Sequence, residues 1–179
     1  MQSPTRTPHE WIRRARCGAI TLAGALALTA CANPWQEFQA GTPENTLVAR
    51  LGPPKETYTL ANGNRRLMWP TGPLGETTTA ADIGPDGRAL DVQQILTANN
   101  FDQAQVHTWT QKDVLEHFGK PEEKAYFPLM KREVWSYRYV ENNIWYMLYH
   151  FYFDDQGVLQ MTQKSPDPIH DENGNGSRF

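Results

Sequence analysis

Apolar and polar positions along this chain fall into two blocks that follow the same order. In the first, Leu47, Val48 and Leu51 share one helical face. Thr42 offers an N-cap oxygen, Pro43 suits the first helical position, and Gly52 with Pro53-Pro54 stops the run, which predicts a helix over Thr42–Leu51. Extended stretches follow at Lys55–Leu60, Arg65–Trp69, Glu76–Ile83 and Arg88–Leu96, divided by segments rich in Gly, Asn and Pro.

The second block starts with a predicted helix over Thr110–Phe118, where Thr110 and Asp113 have the spacing of a capping box. Val114, Leu115 and Phe118 precede Gly119 at the intervals by which Leu47, Val48 and Leu51 precede Gly52. Strands are expected at Glu122–Phe127, Glu133–Val140, Ile144–Phe153 and Val158–Gln163. Gly52 to Gly119 and the Asp86-Gly87 turn to Asp155–Gly157 give a repeat of about 67 to 70 residues, with Trp69 matched to Trp135 close to it. The fold class expected is α+β: a tandem duplicated unit, each copy a short helix packed on an antiparallel sheet of three strands or more. The copies span residues 41–100 and 101–164. A unit of that size buries little surface alone, so the two are expected to share a core or dock closely. From Ser165 to Phe179 apolar periodicity is lost, and a disordered tail is expected.

The amino terminus has a different character. Arg6, Arg13, Arg14 and Arg16 precede an uncharged run, Cys17–Ala30, as in a secretory signal. That run is too short to cross a hydrocarbon core of roughly 30 Å as a permanent helix. It closes on Leu28-Thr29-Ala30-Cys31, which resembles the lipobox of bacterial lipoproteins. The resemblance implies a signal peptide over residues 1–30, a short tether over 31–40, and a covalent diacylglycerol and N-acyl chain on Cys31. Two or three acyl chains hold a protein where one binds only marginally. Ala32, in place of an Asp at that position, implies the outer membrane, with the body on its periplasmic face.

Charge narrows the partners. The chain has 17 basic and 20 acidic residues; removing four Arg and Glu10 with the signal leaves 13 and 19, a net charge near −6. That argues against nucleic acid or an anionic bilayer as the body's partner. Cys17 and Cys31 are the only cysteines, so the mature body has no disulfide and no thiolate metal site.

Gly41-Thr42-Pro43 through Leu51-Gly52-Pro53-Pro54, and Thr110 through Phe118-Gly119-Lys120-Pro121, resemble the helix-to-strand element of the SmpA/OmlA (BamE-like) outer-membrane lipoprotein domain family. Trp135-Ser136-Tyr137 and the Phe153–Val158 turn are similar to it as well. Membership would imply a helical segment on a three-stranded antiparallel sheet, and a non-catalytic module binding other envelope proteins. The family carries the unit once and this chain carries it twice. Duplicated helix-plus-sheet units are also similar to β-lactamase-inhibitor proteins, which makes a periplasmic inhibitor of a hydrolase the alternative.

No catalytic set emerges. His107, His117 and His150 lack metal-ligand spacing, and Asp82, Asp86 and Asp91 do not form a calcium loop. Ser136 and Ser165 sit in no nucleophile motif. The reading is therefore no enzyme, no metal and no cofactor beyond the acyl chains. The sharper feature is the strand Ile144–Phe153, apolar on both faces. One face holds Trp145, Met147, Tyr149, Phe151 and Phe153; the other holds Ile144, Tyr146, Leu148, His150 and Tyr152. The second, with polar tips on Tyr146, His150 and Tyr152, is the candidate protein-binding face.

Overall fold

A computed structural model describes residues 34–170. The expected signal peptide, the expected lipidation site at Cys31 and residues 171–179 lie outside the described residues.

The chain folds as α+β, with two four-stranded antiparallel sheets and few helices. A 3-10 turn, Pro34–Glu37, precedes helix α1 (Glu44–Leu51) and strands β1 (Glu56–Thr59), β2 (Arg65–Thr71), β3 (Thr77–Ile83) and β4 (Ala89–Gln94). Helix α2 (Ala98–Phe101) leads to α3 (Gln111–Phe118) and strands β5 (Glu123–Phe127), β6 (Arg132–Glu141), β7 (Trp145–Phe153) and β8 (Leu159–Pro166). Both sheets are meanders in sequence order, β1-β2-β3-β4 and β5-β6-β7-β8.

The same tertiary ties recur in each half. Glu44 N–H donates to the Gly87 carbonyl, and Gln111 N–H to that of Gly157, both at 3.0 Å. Each helix start is thereby held by the last hairpin turn of its own sheet. Each last hairpin carries a bulge, at Asp82/Ile83 and at Tyr152/Phe153. Each helix ends on a glycine with positive φ, 81° at Gly52 and 78° at Gly119. The carbonyl of each glycine accepts a bond from its sheet, from Trp69 Nε1 and from the Tyr137 hydroxyl, both at 2.8 Å. That bond pairs Trp69 with Tyr137 rather than with Trp135, so matching like residues set the alignment of this strand two positions off. Strand register agrees, because Glu56 faces Met68 as Glu123 faces Ser136.

The helix starts differ. Thr110 and Asp113 form the expected capping box. Thr42 does not cap α1: its hydroxyl donates to the Gln39 carbonyl at 2.7 Å, and Pro43 takes the N-cap position.

Two cores result. Leu47, Leu67, Trp69, Ala81, Ile83, Ala89 and Val92 pack between α1 and the first sheet, with Trp35 and Phe38 against them. The chain from Pro34 onward is thus folded onto the first sheet, not a free tether. The larger core joins Phe101, Val114 and Phe118 to Trp135, Tyr137, Tyr139, Tyr149, Phe151, Phe153 and Leu159. Met68 and Ala80, from the opposite face of the first sheet, enter this same cluster. Arg66 Nη1 donates to the Glu116 carbonyl at 3.2 Å, and Lys120 N–H to Glu56 Oε2 at 3.0 Å. The halves therefore share a core, as their small size requires.

Ser165–His170 are not a loose tail. β8 continues to Pro166, and the buried Asp167 accepts from Arg138 Nε at 2.9 Å while its own N–H donates to the Tyr146 carbonyl. A buried aspartate paired with Arg138 supplies what the polar sequence from Ser165 does not advertise.

Candidate functional site

The first sheet is covered on both faces, by α1 on one and by the shared core on the other. The second sheet has one face in that core. Its other face is built by alternate residues of the strands, since pairing partners point to the same side. Register places Ala125, Val134, Tyr152 and Met161 in one row, and Glu123, Ser136, His150 and Gln163 in the next. Leu148 and Arg138 pair in a third row, and Tyr146 and Val140 in a fourth, toward the β6–β7 turn.

The three residues singled out from the strand pattern lie on this face, spread along β7. His150 is half-buried. Its Nδ1 is hydrogen-bonded to Ser136 Oγ at 2.8 Å, and its Nε2 to Ser165 Oγ at 2.9 Å. Burial pushes the imidazole below its ordinary value of 6.5, against the opposing charge of Glu123. The Tyr152 hydroxyl donates to Gln163 Oε1 at 3.0 Å, and burial raises its phenol. Tyr146 is exposed and stacks on His170, ring centres 3.7 Å apart and nearly parallel.

Between them sits a group that sequence reasoning missed. Arg138 holds Asp167 at 2.9 Å and Glu122 at 3.2 Å, and Asp167 also accepts from the backbone of Ile169. Alternation along β6 would have placed Val134, Ser136, Arg138 and Val140 on the face of His150. The long separation to Asp167 and His170 left no such signal.

The opposite face of β7 behaves as expected in part. Tyr149, Phe151 and Phe153 are core residues, but Trp145 projects past the sheet end and is exposed. Of the other histidines, His117 stacks on Trp109 at 4.1 Å, and His107 lies at the surface beside Gln160. Neither reaches the outer face of the second sheet.

Two further exposed apolar groups occupy opposite ends of the second sheet. The β5–β6 turn presents Tyr126, Phe127, Leu129 and Met130; the β6–β7 end presents Ile144, Trp145 and Tyr146, joined by Ile169.

No family model matches this chain. No curated protein matches it either. A solved structure of a DUF4309 family protein (YjgB) from Bacillus subtilis is similar at 11% identity, covering 70% of this chain and 78% of that one, with a TM-score of 0.29. A score that low carries neither fold nor function from one chain to the other.

Proposed function

We propose that this chain is an outer-membrane lipoprotein, anchored through acyl chains on Cys31, whose periplasmic body is a non-catalytic module that binds an envelope protein. The docking face is the outer side of the second sheet, around Tyr146, His150 and Tyr152. The observation that carries the reading is the composition of that side: the exposed Tyr146 and the half-buried His150 and Tyr152, on a sheet face that none of α1, α2 and α3 covers among the described residues. Tyr and Trp are favoured where a surface is apolar in body and wet at its tip. His150 is engaged by two strand serines, and Ser136 is buried, which suits a binding surface better than an acid–base centre. A duplicated SmpA/OmlA-like scaffold is the family assignment we propose for it.

A photo-crosslinking residue at Tyr152 in intact cells is expected to trap one envelope protein, and the same residue at Leu90, on the first sheet, is not. Equal adducts at both positions would count against the face. Cys31→Ser is expected to leave the precursor uncleaved or outside the outer membrane; normal fractionation would overturn the anchor. One observation favours the inhibitor reading instead, namely the fully exposed Leu129 at the tip of the β5–β6 turn, shaped to enter a cleft. Tight binding to a purified hydrolase, abolished by Leu129→Asp, would support that reading.

A further inference from the structure

The apolar group at the β6–β7 end has a position that gives it an occupant. Trp35, at the start of the described chain, lines one cleft together with Val140 and Asn143. The amino-terminal segment therefore enters, along the first sheet, at a cleft that the β6–β7 turn also borders. Cys31 is four residues from Trp35, and four residues reach at most about 14 Å. Whatever path those residues take, an acyl group on Cys31 holds this end of the body close to the bilayer.

The turn itself is suited to that place. Asn142 and Asn143 adopt positive φ, 53° and 58°, and the tight turn thrusts the next side chains outward. Ile144 is 68% exposed, Trp145 63% and Ile169 59%, with Tyr146 beside them. Trp and Tyr flanked by aliphatic groups are the residues that settle at the headgroup level of a membrane. The described carboxylates nearby each have a cation within 3.5 Å, two of them sharing one lysine. Glu141 and Asp102 share Lys164 at 3.4 and 3.5 Å, and Asp167 is held by Arg138. Seating this end on lipid strips water from no isolated acid among them. The surplus there is one negative charge, with the Asp102 side chain half exposed, so the local charge is far below that of the whole mature chain.

From this juxtaposition we infer that Ile144, Trp145, Tyr146 and Ile169 form a second, non-covalent membrane contact that seats the body on the lipid interface beside its anchor. The inference rests on the anchored reading above. It also orients the molecule. β6 is ten residues long, so the β5–β6 turn with Leu129 lies roughly 30 Å along the strand from this seat, and the outer face of the second sheet runs between the two.

The test uses protein purified from membranes and reconstituted into phosphatidylethanolamine/phosphatidylglycerol vesicles, with or without lipids brominated near the headgroup. Bromolipid is expected to quench part of the tryptophan emission of the wild type. That quenching is expected to fall in Trp145→Phe to what Trp35, beside the anchor, contributes. The tryptophan added by Leu129→Trp is expected to stay unquenched. Equal quenching of wild type and Trp145→Phe would overturn the seat, as would quenching at position 129. Circular dichroism of each variant checks that the fold persists. The mass of the same preparation reports the state of Cys31 separately. An acylated chain whose Trp145 is unquenched sinks the seat and leaves the anchor. An unacylated chain whose Trp145 is still quenched sinks the anchor and leaves the lipid contact.

Discussion

Phe101→Ala is the most informative perturbation of this fold. Phe101 is 0% exposed and touches five aromatic rings: Tyr149, Phe118, Tyr139, Tyr137 and Phe151, with centroids 4.7 to 5.9 Å away. Those five rings come from three elements of the second half, α3, β6 and β7, while Met68 and Ala80 of the first sheet line the same cluster. Truncating a buried phenylalanine costs about 3–5 kcal/mol in lost transfer and cavity formation. Rigid rings on every side resist collapse, so the upper part of that range is expected. At roughly 2–4 °C per kcal/mol for a domain of this size, the melting temperature should fall by on the order of 10 °C. Urea denaturation followed by tryptophan fluorescence measures the change, with Trp69 reporting the first core and Trp135 the second. One transition should persist and move as a whole, because the two halves bury a common cluster. Leu129→Ala, at a fully exposed position, should leave stability within about 0.5 kcal/mol of wild type. A loss below about 1.5 kcal/mol for Phe101→Ala would refute the hub, against the range usual for such a truncation. Separate transitions in the two signals would refute the shared core.

Other expectations follow from single contacts. Gly119 and Gly52 both have φ near +80° with ψ of −163° and −177°, a region essentially reserved for glycine, where a side chain costs on the order of 1–3 kcal/mol. A β-carbon at Gly119 would also meet Met68 Sδ at 3.0 Å, whereas none meets anything at Gly52, so Gly119→Val should lower the melting temperature more than Gly52→Val. Equal losses would show that packing against Met68 adds nothing. Asp167→Ala strips Arg138 of its buried partner and leaves only Glu122; a loss near the lower end of about 3–5 kcal/mol is expected by denaturant titration, and a change within error would mean the 165–170 segment is not docked. His150 has a depressed folded value, so the unfolded chain takes up its proton first. Its contribution is complete above pH 6.5 and is lost as pH falls through the lower folded value. Stability measured between pH 7 and 5 should therefore fall more steeply in the wild type than in His150→Gln, and parallel slopes would remove His150 as the cause.

Helices and strands were legible in the chain because local chemistry and periodicity agreed. Gly52 and Gly119 stop helices, Asn62-Gly63 and Asp86-Gly87 turn hairpins, and alternation carries the strands between them. The alignment of the repeats was legible wherever a glycine or a turn anchored it. It slipped at Trp69, because residue likeness to Trp135 is a weaker guide than the bond each strand makes to the helix-end carbonyl. Helix α2 had no signal, since Phe101 is a single apolar residue in a polar run. Arg138 and Asp167 lay 29 positions apart, so nothing local tied them.

The amino-acid sequence alone determined the order of α1, α3 and the eight strands, the two matching blocks and the strand faces, because each depends on residues within one turn or one hairpin. Only the tertiary structure decided that Phe101 is the hub, that Met68 crosses into the second core, and that Trp35 lines the same cleft as Asn143. Those outcomes hang on contacts between distant segments, where burial and packing choose among arrangements that periodicity leaves equal.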